Sequence, residues 1–248
     1  MRSIFVASLI TGLGLMAAVG CSPARSAPAP GPARTGVAAT PADSAHPVVV
    51  ELFTSQGCSS CPPANALLTK LSARPDVLAL SFGVTYWDDL GWKDTFASHQ
   101  YTDRQSAYVK SLGGDGDYTP QMVINGAADV VGSRAAEVEA LIARQGRPVG
   151  PDIKLSASGA VVGAGAWSGA PADVWLVRYD PRIVQVPVKR GENTGRTLPH
   201  KNVVRSLTRL GGWSGKTLNV SFAPATGGLA TAVLVQRPGG VIVAAARD

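Results

Sequence analysis

Cys58-Ser59-Ser60-Cys61 is the segment of this 248-residue chain whose residue types and spacing most directly imply chemistry. Two thiols three positions apart on a helix lie within bonding reach of each other. Pro62 and Pro63 follow, and a first helical turn tolerates proline because its missing N–H would have no partner there. From Ala64, the residues Leu67, Leu68 and Leu71 keep the spacing of one helix face. The pair therefore opens a helix, where unpaired N–H groups and about half a positive charge favour thiolate over thiol. On this reading Cys58, at the exposed tip, is the nucleophile. Cys61, one turn in and more buried, resolves the mixed disulfide. The same residues could instead hold a soft metal such as Cu(I), supply half of a zinc site, or form an inert structural disulfide. Zinc needs two further ligands, and His46, His99 and His200 are scattered without a second short-spaced pair. A disulfide spanning three positions closes too short a loop to be an effective staple. No metal and no cofactor are expected.

The surrounding elements explain how the pair is held. Val48–Phe53 is an apolar run of the kind found in a strand covered on both faces, and Ser55-Gln56-Gly57 turns it into the cysteine segment. Val77–Thr85 reads as a second buried strand and Thr102–Leu112 as a polar-faced helix. Pro120 precedes the strand Gln121–Asn125, which ends in the turn signal Asn125-Gly126. Ser133 is placed to cap a helix with Val138, Leu141 and Ile142 on one face. Strand and helix alternate, so residues 47–149 are expected to form an α/β domain. Beyond the Pro/Gly-rich stretch 146–151, the runs Val174–Tyr179, Val184–Val188, Thr217–Phe222, Ala232–Gln236 and Val241–Ala245 read as short strands, the last two joined through Arg237-Pro238-Gly239-Gly240. Lys201–Leu210 suits a strand or a helix and is read as a strand. Residues 150–248 are therefore expected to form a small antiparallel β-rich domain.

The 45% apolar content is sufficient for a core without metal or disulfide staples. The net charge of +6 is unevenly spread. Residues 47–149 carry eight basic and eleven acidic side chains, whereas residues 150–248 carry twelve and five. Arg190-Gly191-Glu192-Asn193-Thr194-Gly195-Arg196 has hairpin-turn chemistry and is not a phosphate loop. Met1-Arg2-Ser3 followed by apolar residues to Val19 has the form of a secretion signal. Ala18-Val19-Gly20-Cys21 resembles a lipobox, in which Cys21 is acylated. Residues 1–21 are thus read as a signal peptide and 22–46, with five prolines and eight alanines, as a linker. Cleavage near Ala24 or Ala27 is the alternative, and either outcome takes Cys21 out of the redox count. Export places the protein in a bacterial periplasm or on the outer membrane, where disulfides persist. It also makes nucleic acid a poor partner, and no aromatic-interleaved basic motif is present.

The strand Val48–Phe53, then Cys58-x-x-Cys61, then Thr119-Pro120 before a strand, resembles the thioredoxin superfamily. The resemblance implies an α/β thioredoxin-like fold for 47–149, a cis Thr119–Pro120 bond facing the cysteines, and Thr119 backbone pairing with a bound substrate strand. The long gap from Cys58 to Pro120 implies an insertion around Trp87–Gln100. More narrowly, Glu51-Leu52-Phe53-Thr54-Ser55-Gln56-Gly57-Cys58-Ser59-Ser60-Cys61-Pro62-Pro63-Ala64 is similar to the secreted thioredoxin-like family known as domain of unknown function 1223. So are Tyr86-Trp87-Asp88, Gly91-Trp92-Lys93-Asp94, Arg104-Gln105, Thr119-Pro120-Gln121-Met122, Arg190-Gly191-Glu192-Asn193, Gly195-Arg196 and Asn202-Val203-Val204-Arg205. That family commonly has His and Asp flanking the valine before Tyr-Trp-Asp, whereas this chain has Gly83 and Thr85. Thioredoxins relay the resolving cysteine's proton through a buried carboxylate on the preceding strand, and Glu51 is the only acid there. Asp88 and Asp89 are other acceptors; Trp87 and Trp92 either line an apolar rim or pack inside. The implied activity is exported thiol-disulfide exchange, with a thiol or disulfide protein substrate and a separate recycling partner. The alternative is a non-catalytic envelope protein of the same fold that binds copper or a peptide.

Overall fold

The computed structural model describes residues 39–248; the expected signal segment, Cys21 and the expected linker through residue 38 lie outside the described residues. The first half supplies β1 (Val48–Thr54), α1 (Pro62–Leu71), β2 (Val77–Gly83), α2 (His99–Leu112), β3 (Gln121–Ile124), β4 (Ala128–Val131) and α3 (Ala135–Gln145). The second half supplies β5 (Ile153–Ser156), β6 (Gly159–Val162), β7 (Ala172–Asp180), β8 (Val184–Pro187), β9 (Thr197–His200), β10 (Val203–Trp213), β11 (Leu218–Ser221), β12 (Ala230–Gln236) and β13 (Ile242–Arg247). No helix among the described residues is long and apolar enough to cross a membrane.

These elements overturn the expectation of an α/β thioredoxin-like domain followed by a separate antiparallel β-domain. The described residues are mostly β, with three α-helices and one eight-stranded mixed sheet ordered β13-β12-β7-β10-β2-β1-β3-β4. Four of those strands come from residues after 150, and the described residues 39–248 fall within one compact unit. The physical reason lies at the open edge of β2, which a strand from the second half fills. Val203 of β10 pairs with Ser81 in parallel. Ser81 N–H donates to Asn202 O at 3.0 Å, and Asn202 Nδ2 donates to Ala79 O at 2.7 Å. Lys201–Leu210 is therefore mostly strand, and it extends the sheet seeded by the cysteine-bearing strand.

Side-chain alternation gives each face its own cover. Val49, Phe53, Leu78, Leu80 and Phe82 pack with Tyr101 and Tyr108 of α2 and with Val177, Val204 and Leu234 from the second half. On the opposite face Val48, Val50 and Leu52 pack with Leu67, Leu68 and Leu71 of α1 and with Val138, Leu141 and Ile142 of α3. All seven residues of β1 are buried, as an apolar strand between two covered faces requires. A small sheet, β11-β6-β5, covers Val174, Leu176, Val233 and Val235. The ribbon β8–β9 stands apart from both sheets and packs Val186, Val188 and Leu198 on Trp92 and Phe96. Ser133 makes no side-chain cap for α3; Arg134 occupies that position.

Candidate functional site

β1 delivers the chain through Ser55-Gln56-Gly57 to the cysteines, and Cys61 is the N-cap residue of α1, with Pro62 and Pro63 in the first helical turn. Cys61 thus stands at the helix mouth rather than a turn inside it. Cys58 and Cys61 are joined as a disulfide with their Cα atoms 5.4 Å apart. The turn is drawn in by Cys58 N–H donating to Ser55 O (3.2 Å) and Cys61 N–H donating to Cys58 O (3.3 Å). The Ser60 hydroxyl lies 3.3 Å from Cys58 Sγ. Contrary to the expected exposed nucleophile, Cys58 is as fully buried as Cys61, both at 0% exposure.

Two elements remote in sequence close around this turn. The segment between β2 and α2 forms one. Asp94 accepts Gln56 N–H at 2.7 Å and Phe96 N–H at 2.7 Å, while Gln56 Nε2 donates to Thr95 Oγ1 (3.0 Å) and Trp92 Nε1 donates to Gln56 Oε1 (2.9 Å). Burial pushes the Asp94 carboxyl up to about 6, against the pull of those backbone donors. Asp88 accepts the Asp94 N–H at 3.0 Å and so shapes this segment. Trp87 spans the site: a side chain on Gly57 would meet Trp87 Cβ at 3.4 Å, and Trp87 Nε1 donates to Thr119 Oγ1 at 2.8 Å. The Thr119–Pro120 peptide bond is cis. Gln121 pairs with Phe53, so Pro120 lies at the end of β1 from which the cysteine turn departs.

The second element is the β8–β9 tip. Asn193, fully buried, donates through Nδ2 to Gln56 O (3.0 Å) and Cys58 O (2.9 Å). Glu192 Oε2 accepts Ser59 N–H at 3.0 Å, and hydrogen bonds from the Ser59 side chain and backbone hold its carboxyl below the usual range. Local turn chemistry at 190–196 implies a hairpin turn but carries no signal that places it at the cysteines. Only the tertiary packing of β9 against α1 makes that placement.

Glu51, the expected proton relay for Cys61, is engaged elsewhere. Alternation puts it on the face of Val49 and Phe53, away from α1. There its carboxylate accepts Arg104 Nε at 2.8 Å, Arg104 Nη2 at 3.2 Å and the Tyr108 hydroxyl. Gln236 of β12 completes the cluster by accepting from Arg104 Nη1 (2.9 Å) and donating to Tyr108 (2.8 Å). The carboxylate ties β1, α2 and β12 together. Among the described residues, no group of three or more His, Cys, Asp or Glu side chains is placed to hold a metal. The basic residues of 178–209 are largely engaged internally: Arg182 and Arg205 with Asp180, Arg209 with Asp173, and Arg178 with Thr231.

The family model described as "Protein of unknown function (DUF1223)" matches residues 49–236. The chain belongs to this family. Among solved structures, this DUF1223 protein is similar to protein AGR_C_4864 from Agrobacterium tumefaciens, with 34% identity and a TM-score of 0.68 over 84% of this chain and 95% of that one. It is also similar to HBP35 of Porphyromonas gingivalis, with 14% identity and a TM-score of 0.52 over 85% of this chain and 76% of that one, a likeness of fold alone. No curated protein matches. One local feature of this DUF1223 chain has a steric cause. A Cβ on Gly83 would lie 2.8 Å from Ala97 N and 2.8 Å from the Phe96 carbonyl carbon, so the backbone that leads into α2 occupies the space a side chain would need.

Proposed function

We propose that this DUF1223 protein is an exported thiol-disulfide oxidoreductase acting through Cys58 and Cys61. The observation that carries the reading is the juxtaposition of a Cys58–Cys61 disulfide at a helix mouth with a cis Thr119–Pro120 bond, bridged by Trp87. Likeness to the thioredoxin superfamily is proposed for this local constellation and not for the sheet that carries it. In the exchange, a substrate thiolate attacks Cys58 Sγ. The Cys58–Cys61 bond breaks, and its electron pair leaves on Cys61 Sγ, which takes up a proton. A second substrate thiolate then attacks the substrate sulfur of the mixed disulfide, displacing the Cys58 thiolate and giving an oxidised substrate and a reduced pair. A disulfide-bearing partner reoxidises the pair. Helix-mouth N–H groups favour the departing thiolate.

The reading includes the location: a signal segment exports the chain, Cys21 anchors it by acylation, and envelope proteins or small thiols are the substrates. The test is trapping with Cys61→Ser, which leaves Cys58 without its resolving thiol. Mixed disulfides on Cys58 that disappear on reduction are expected from cells expressing this variant; if none form, thiol exchange is not the activity.

A further inference from the structure

A polar side chain with no exposure is unusual in an otherwise exposed turn, and Asn193 is one: Glu192, Thr194, Gly195 and Arg196 around it are all exposed. Gly191 and Gly195, at φ +76° and +79°, allow the turn to fold back on itself. Arg196 Nη1 donates to Asn193 Oδ1 at 2.7 Å. With that oxygen occupied, Nδ2 faces the carbonyls of Gln56 and Cys58 and donates to both. Glu192 adds a third link through Ser59 N–H. The tip is therefore fastened on both sides of Cys58.

This fastening matters because neither cysteine is exposed. A substrate sulfur must approach Cys58 Sγ opposite the bond that breaks, so a cover has to move before exchange. The other element closing around the turn, the segment between β2 and α2, is held by the buried Asp94 carboxyl, which accepts both Gln56 N–H and Phe96 N–H. The tip instead belongs to a two-stranded ribbon outside both larger sheets, and isolated two-stranded ribbons are marginal on their own. Its attachment to the cysteine turn is by side-chain hydrogen bonds. Local opening draws on such weakly integrated elements first.

We propose that the β8–β9 tip is a clasp over the Cys58–Cys61 site: Asn193 holds it closed, its release admits the substrate sulfur, and the Glu192 carboxylate beside Ser59 moderates the Cys58 thiol. The proposal rests on the thiol-exchange reading and adds the residues that control access to it. Glu192 takes an N–H of the helix-opening turn that would otherwise support a Cys58 thiolate. Its negative charge also disfavours that thiolate directly. Removing the charge while keeping an acceptor oxygen should make the reduced thiol more acidic. Removing the Asn193 donors should shift the clasp toward its open form without touching sulfur.

The experiment uses the full chain with dithiothreitol as the probe, scoring reduction of the disulfide by mass after alkylation. Asn193→Ala is expected to be reduced about tenfold faster than wild type, or more, because two buried hydrogen bonds of the closed form are lost. Arg196→Gln, which frees the Asn193 amide to turn, is expected to be reduced about threefold faster on the same reasoning. If Asn193→Ala does not fold, Arg196→Gln alone decides. Rates within twofold of wild type overturn the clasp. On the reduced protein, Glu192→Gln is expected to move the pH midpoint of Cys58 alkylation by iodoacetamide downward by about half a unit or more. An unmoved midpoint overturns the role of Glu192. Dithiothreitol needs no native substrate, so faster reduction with failed Cys61→Ser trapping would retain the clasp and remove the oxidoreductase. Successful trapping with unchanged reduction rates would do the reverse.

Discussion

Replacing Glu51 with Gln separates a structural carboxylate from a catalytic one. Glu51 has no exposure and Arg104 is 8% exposed. Removing one charge of such a buried pair leaves the other uncompensated, typically at a cost of about 3–5 kcal/mol. Two features of the structure favour the lower end. The Arg104 guanidinium lies over the Tyr108 and Phe82 rings, 5.1 Å and 5.7 Å from their centroids, which offsets part of the loss. Arg104 also keeps Gln236 and the Tyr108 hydroxyl as acceptors. Glu51→Gln is therefore expected to lose about 3 kcal/mol, a sizeable share of the ~5–15 kcal/mol typical of folded domains. Urea unfolding followed by tryptophan fluorescence reads this as a lower midpoint at unchanged slope. The second readout is the pH profile of cysteine alkylation in the reduced protein, which should be the same in Glu51→Gln and wild type because Glu51 faces α2 and the cysteines adjoin α1. A loss below about 1 kcal/mol would refute the buried-pair reasoning. A profile shifted by half a unit or more would restore Glu51 as a relay.

Two further predictions concern the elements around the site. Burial pushes His200 down to about 4, and its Nε2 has no partner. The lowered value means that stability contributed by the neutral imidazole is complete above pH ~6.5 and is lost as pH falls toward 4, by about 3 kcal/mol in total. Asp94, raised to about 6 by burial, acts oppositely: its contribution grows as pH falls from 6 toward the usual carboxylate range. The difference between wild type and His200→Leu in melting temperature against pH isolates the histidine; equal slopes in the two proteins would contradict the assignment. Gly83→Ala is expected to destabilise by about 1–3 kcal/mol, the usual range for overpacking, since the added methyl meets backbone atoms that cannot turn aside. A thermal midpoint equal to wild type would show that the strand edge has more room than the structure gives it.

Local signals that depend on neighbours in sequence were legible. The apolar run 48–53, the prolines after Cys61 and the spacing of Leu67, Leu68 and Leu71 foretold β1, the helix mouth and the face of α1. The glycines of 237–240 marked the turn between β12 and β13, and the leucine-valine alternation of 217–222 marked β11. What failed was the partition of strands between sheets. Strand-helix alternation in 47–149 is equally consistent with a sheet that ends at β2 and with one that continues, because an edge strand and a central strand differ only in whether another segment arrives. Here Asn202 and Val203 arrive, and two expected domains share one sheet. The side on which Glu51 lies was hidden for a related reason. A strand buried on both faces does not reveal from its composition which face adjoins the cysteines.

The sequence by itself determined that two thiols sit at the mouth of a helix fed by a buried strand, because capping, proline tolerance and helical spacing act over a few residues. Tertiary structure alone decided what surrounds them. It turned Glu51 toward Arg104, set Trp87 between Gly57 and Thr119, and laid Asn193 across Cys58 from more than a hundred residues away. The Glu51 contact follows from pleat parity within β1, whereas those of Trp87 and Asn193 depend on how a segment between elements and a ribbon outside the large sheets pack over the turn, which no short stretch of sequence specifies.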